Sequence, residues 1–361
     1  TMVSATGWIA SVWAVSAVIG PVVGALIVQH LSWGWIFWMN VPIGIAAALG
    51  FWRCLREAPV ARRVSVDGIG ALLFTLGIAA LMIGLTEFGL GRNAVAGVWA
   101  GVFGVTTVLF VAQERRAADP MVSFRLWGTR LIASVNGAAL LSGMALIGIT
   151  TFLPMFVQGV LGRSPVVAGL TLTMVMLGWP IGATLASRTF LRFGLGRLLG
   201  LGAALVPLGA SAFALLGADG SPVLAGAGSF VLGLGFGLVS LCSLILIQES
   251  VEVSQRGSAT ASNVFSRNLG SALGATFFGA IFNFALVRQH GGVAIPEDQL
   301  RQFLQGTLVD TATHAGIRLA LESSLHLTFV ALLLTSLGMV AAALLLPRQR
   351  PLGVVAESRP R

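Results

Sequence analysis

Asn263 and Arg267 stand four residues apart in "GSATASNVFSRNLGSALGA" (257–275), so a helix sets both on one face. An amide and a guanidinium on one face of an otherwise apolar segment can share a hydrogen-bond network or line a polar cavity. If that helix enters a membrane at Ser258, Arg267 lies about 13 Å in, at 1.5 Å per residue. The plainer reading starts the apolar core at 268 and lets Arg267 snorkel to the surface. Asn136 and Gln158 are further amides inside one apolar run, near its opposite ends. Phe152, Met155 and Trp179 would supply an adaptable apolar surface of the kind promiscuous sites use, or plain core.

Other chemistries find no residues. The two cysteines, Cys54 and Cys242, are far apart, and His30, His290, His314 and His326 are scattered, so no metal site is expected. The glycine-rich "GLGFGL" (233–238) lies inside an apolar run and follows no strand, which excludes a phosphate-binding loop. No enzyme signature is present. None of the 13 carboxylates lies in the middle of an apolar run; Asp67 and Glu87 bracket one at its two ends.

The elements that position these residues follow from composition. Only 10% of residues are charged and 56% are hydrophobic, against about 25% charged in soluble domains. The 46 glycines show no collagen-like period and suit membrane helices that pack closely. Segments of about 20 apolar residues predict ten spans: 8–29, 33–52, 68–87, 94–112, 131–158, 165–187, 198–217, 222–247, 261–286 and 324–346. All 22 basic residues are Arg. With the N-terminus inside, the outer segments hold only Arg92, Arg163, Arg288, Arg301 and Arg318, while the inner segments and tail hold the others, Arg267 apart. This asymmetry places both termini in the cytoplasm and accounts for the net charge of +9 without nucleic acid. Within the outer loop 287–323, "IPEDQLRQFLQGTLVD" opens with helix-start residues and sets Leu300, Phe303, Leu304 and Leu308 on one face, a short surface helix or a tether.

Near the start, "SAVIGPVVGALIVQHLSWGWIFWMNVPIG" (16–44) puts Gly20-Pro21 inside a span. Ser16, Gly20 and Gly24 are spaced four apart and form one groove, while Pro21 removes a backbone donor and bends the helix. Gly7, Gly20, Pro21 and Gly24 match the antiporter signature of the major facilitator superfamily, with Ser16 and Ala25 replacing two of its glycines. The following "WGWIFWMNVPIG", with Trp33, Trp35, Asn40, Pro42 and Gly44, resembles a segment of the 14-helix drug:proton antiporters of EmrB/QacA type, Gly34 standing where that family usually has Arg. "VDGIGALL" (66–73), "TFLPMFVQGVLGRSPVVAGL" (151–170), "RFGLGRLL" (192–199) and "GSATASNVFSRNLGSALGA" (257–275) are similar to later blocks of the same family, although Leu191 stands where Asp is common.

The resemblance implies an all-α integral membrane protein with the major facilitator fold, matched over the family's helices five to fourteen, and so N-terminally incomplete with about ten helices. It divides the chain into 1–56, the last two helices of an N-terminal half; 57–130, two linker helices with inner loops; 131–346, a C-terminal six-helix half; and 347–361, a cytoplasmic tail. It implies multidrug efflux by alternating access in the plasma (inner) membrane, with Gly20, Pro21 and Gly24 as a hinge and the substrate cavity between the halves. No cofactor is implied beyond a proton gradient. The proton carrier would be a membrane acid, usually in the first helix, and Asp67 and Glu87 are the candidates among these residues. The implied partners are the lipid bilayer and small hydrophobic or cationic compounds; no residue signals a periplasmic adaptor. A non-transporting remnant, or an exporter of a self-made metabolite, peptide or siderophore, are the alternatives.

Overall fold

In a medium that offers the backbone no water, a spanning segment must satisfy its own N–H and C=O groups, and a helix does so within the segment. The computed structural model describes residues 34–54, 67–117, 127–289 and 311–347, with isolated positions 16, 23, 27, 31, 32, 299 and 303. Among these residues there is no strand, and nine helical stretches are long and apolar enough to cross a membrane. Apart from positions 16, 23 and 27, the first expected span, 8–29, lies outside the described residues, as do Gly20, Pro21, Gly24 and Trp33.

Residues 1–66 and 67–361 form two units. In the first, α1 (Trp35–Trp38) and α2 (Asn40–Cys54) carry the "WIFWMNVPIG" segment. Pro42 has no N–H to offer the carbonyl of Trp38, which accounts for the break at Met39. Asn40 donates its side-chain amide to the Ile36 carbonyl at 2.9 Å, across that break.

The second unit begins with a hairpin of α3 (Gly68–Gly89) and α4 (Asn93–Glu114). Six helices follow: α5 (Arg130–Met155), α6 (Pro165–Phe193), α7 (Leu195–Ala214), α8 (Pro222–Ser250), α9 (Arg256–Gln289) and α10 (Thr311–Leu344). The helix α8 packs against both α6 and α7, α5 packs along α9, and α10 touches α5, α7 and α9; the hairpin joins the six through α3 on α9.

Short loops have identifiable causes. Pro154 cannot donate to the carbonyl of Thr150, and α5 passes into a π-helical turn over Phe156–Val160. Gly162 then takes a left-handed φ of 61°, and Ser164 caps α6, whose first residue is Pro165. The expected loop at Gly162–Pro165 is therefore present.

Two boundaries differ from the sequence-based expectation. The helix α9 runs to Gln289, and α10 begins at Thr311, thirteen residues before the expected start at 324. The loop assigned to 287–323 is correspondingly narrower. Ile317, Ala320, Leu321 and Ser324 recur at helical spacing and are buried, so the segment keeps helical packing although its charges dilute its hydropathy.

The core runs along the six-helix unit. Phe156 meets Phe329 edge to face and Phe213 lies tilted against it, with ring centroids 5.5 and 5.7 Å away. Phe303 is helical and 5% exposed within the same cluster, whereas Leu300, Leu304 and Leu308 lie outside the described residues.

Candidate functional site

Helix contacts in lipid gain little from hydrophobic transfer, so close backbone approach and hydrogen bonds carry them. Along the α5–α9 interface both occur. A Cβ on Gly270 would overlap the carbonyl of Leu140, and one on Gly143 would overlap the carbonyl of Arg267. One turn further on, a Cβ on Gly274 would lie 2.6 Å from the Cα of Met144. Within the stripe Ser262, Ser266, Gly270, Gly274, the two glycines thus seat α9 directly on the backbone of α5.

Polar side chains continue this seam toward the end of α9 that follows Arg256. Asn263 donates to Oδ1 of Asn136 at 3.2 Å, and Asn136 donates to the hydroxyl of Ser262 at 3.0 Å. Trp127, just before α5, donates its indole N–H to the same hydroxyl at 3.0 Å. Asn136 is 0% exposed and Asn263 6%, so both join two helices rather than face an open wall. Ser271 bonds the carbonyl of Gly143 at 3.3 Å on the same seam.

Arg267 is half-buried, and its Nη1 donates to Ser240 Oγ of α8 at 3.2 Å. It stands eleven residues from Arg256, about 16 Å along the helix. Ser240 stands ten residues from the end of α8 at Ser250, about 15 Å by the same rise. The guanidinium is held sideways on a neighbouring helix at that level. Nearer the end of α8, Gln248 donates to Thr260 of α9 at 3.2 Å, and Arg256 donates back to the Gln248 carbonyl at 2.9 Å. The α8 and α9 helices are thereby linked at two levels.

The other candidates fall elsewhere. Phe152 is buried and tilted against Phe282 at 5.5 Å, within the core. Met155 is partly buried against that core, and Gln158 is half-buried in the π turn. Trp179 lies against Phe236 at 5.7 Å. In "GLGFGL", Gly233 and Gly237 meet the backbone of α6 and Gly235 that of α7, which gives these glycines a packing role.

Both carboxylate candidates have structural partners. Asp67 caps α3, accepting from Gly70 N at 2.9 Å, and Gln113 of α4 donates to the same oxygen at 3.1 Å. Glu87 pairs with Arg92 at 3.3 Å across the turn between α3 and α4.

At the opposite end from the asparagine network lies a clamp that charge counting did not reveal. Arg318 donates Nε to the carbonyl of Val160 at 3.1 Å, at the end of the π turn. Glu322, one helical turn later, accepts from the N–H of Ala218 in the α7–α8 loop at 3.0 Å. The spacing of Arg318 and Glu322 around buried Ile317 and Leu321 was the available signal. Trp127 likewise left a signal, an indole set among the arginines of "FRLWGTR".

Comparison with known proteins agrees with this architecture. The profile of the Major Facilitator Superfamily matches residues 3–275. The chain is 28% identical over 282 residues to the multidrug transporter protein MdtP of Bacillus subtilis, covering 77% of this chain and 52% of that protein. It is 30% identical over 279 residues to multidrug resistance protein 3 of the same organism, covering 76% and 54%. It is 28% identical over 296 residues to the acurin A biosynthesis cluster MFS-type transporter of Aspergillus aculeatus, covering 77% and 50%. The chain spans about half the length of these curated relatives. Its apolar helices make it a multi-pass membrane protein, and the match over residues 3–275 shows that it belongs to the major facilitator superfamily.

Proposed function

We propose that the protein takes part in proton-coupled efflux of small hydrophobic or cationic compounds by alternating access, as a 14-helix antiporter of EmrB/QacA type. The observation that carries this reading is the seam between α5 and α9. Glycine contacts set the two backbones close, and a small polar network of Asn136, Ser262 and Asn263 closes one end. Such a seam has discrete arrangements, because each amide must find a partner wherever it stops. Arg267, one turn further along α9, is tied separately to Ser240 of α8 and acts as a gating cation. Gly20, Pro21 and Gly24 act as the hinge of the partner half, and the protein sits in the plasma membrane with both termini in the cytoplasm.

The multidrug names of two relatives support a broad substrate range. A second reading, export of a self-made metabolite, is favoured by the biosynthesis-cluster name of the third. Efflux assays in a host lacking its own pumps, with the protein expressed from its complete reading frame, separate the readings. Extrusion of several unrelated hydrophobic cations supports multidrug efflux. Extrusion confined to one metabolite supports the second reading, and retention of every compound argues against transport. Replacing Pro21 by Ala should change coupling or proton leak; unchanged values would argue against the hinge.

A further inference from the structure

Where α3, α9 and α10 meet, the surface carries an apolar groove of about 280 Å³ lined by Leu85, Phe88, Phe277, Phe284, Leu327 and Leu334 among others. Its wall is firm. Phe88 of α3 stacks on Phe284 of α9 with centroids 5.9 Å apart and planes within 6°, and Gly89 admits the backbone of Ala280, whose Cα lies 2.8 Å from where a Cβ would stand. Beside the groove lies a second space of about 440 Å³ that shares Phe284, Leu327 and Val330 and is edged by Arg288, Gln289, Ser323 and His326. Apolar below and cationic above, the two spaces adjoin along these three shared residues.

We propose that the two spaces together form one channel that holds one phospholipid with an anionic headgroup, its acyl chain lying along Phe277 to Phe284 and its phosphate on Arg288. Length supports the assignment. From Phe277 to Arg288 is eleven residues of helix, about 16 Å, and one leaflet of a 30 Å hydrocarbon core is about 15 Å deep. Charge supports it as well. Arg288 is exposed in the last turn of α9, a guanidinium suits phosphate oxygens, and Ser323 and His326 offer further polar contacts. No carboxylate lines the polar end among the described residues, and Glu322, beside Ser323, is turned to Ala218. A bound lipid there would bridge the α3–α4 hairpin to the six-helix unit.

The test is native mass spectrometry of the full protein released from detergent, with phosphatidylglycerol or phosphatidylcholine added as the probe. One phosphatidylglycerol should be retained in preference to phosphatidylcholine. Arg288→Ala should weaken that retention by about tenfold, the size of one lost charge-assisted hydrogen bond. Ala331→Phe, which fills the apolar end, should weaken retention of both lipids. Equal retention of the two lipids by the unaltered protein would overturn the headgroup assignment. Retention unchanged in both variants would overturn the site.

Discussion

The side-chain amide of Asn263 donates to Oδ1 of Asn136 across the α5–α9 interface, and both residues are buried. Each amide depends on the other or on Ser262, so removing one leaves a buried polar atom without a partner. Asn263→Ala should therefore destabilise the six-helix unit by about 1–3 kcal/mol. A double-mutant cycle with Asn136→Ala, read by reversible unfolding in bicelles, should return a coupling of about 0.5–2 kcal/mol. Strict additivity would show that the pair is not energetically joined.

Close backbone contact makes a second prediction. Gly270→Leu places a side chain where the Leu140 carbonyl stands, so α9 must move off α5. Thermal stability in detergent should fall sharply, by about 1–3 kcal/mol or more. Gly279→Ala, whose added Cβ meets nothing within 4 Å, is the control and should be close to neutral. Equal effects would contradict the packing account.

Asp67 distinguishes a cap from a proton carrier. Asn is as good an N-cap as Asp, so Asp67→Asn should keep stability and transport, whereas Asp67→Ala should cost about 1 kcal/mol. Wild-type stability of Asp67→Asn with loss of proton-coupled transport would instead assign proton carriage to this carboxyl.

Arg318 and Glu322 hold two loops against one helix. Arg318→Ala removes the donor to Val160, and Glu322→Gln weakens the acceptor for Ala218. Amide hydrogen exchange should accelerate at Leu161–Arg163 in the first variant and around Ala218 in the second. Protection unchanged at those sites would contradict the clamp.

Much of this architecture was legible in the sequence, because about twenty apolar residues in a row leave a membrane chain few options. Gly162-Arg163-Ser164-Pro165 marked a turn that the structure contains. The stripe Ser262, Ser266, Gly270, Gly274 was visible as a close-packing face, since small residues four apart have few other uses. The start of α10 was not legible, because Arg318, Glu322 and His326 lower the hydropathy of a segment whose Ile317, Leu321 and Leu325 are nonetheless buried. Asn136 and Asn263 were visible as polar residues in apolar runs, but their pairing was not. Nothing in sequence spacing specifies which of two helices 127 residues apart will meet. Arg267 showed the same limit: its place on the face of Asn263 could be read, but its partner Ser240 lies on another helix.

Proton flux in proteoliposomes tests the central claim most directly. With the complete protein reconstituted under an imposed pH gradient, adding a transported hydrophobic cation should produce an immediate proton movement that grows with its concentration. Arg267→Ala should abolish that movement while leaving the protein folded. Transport of the cation with no accompanying proton movement would contradict proton-coupled exchange.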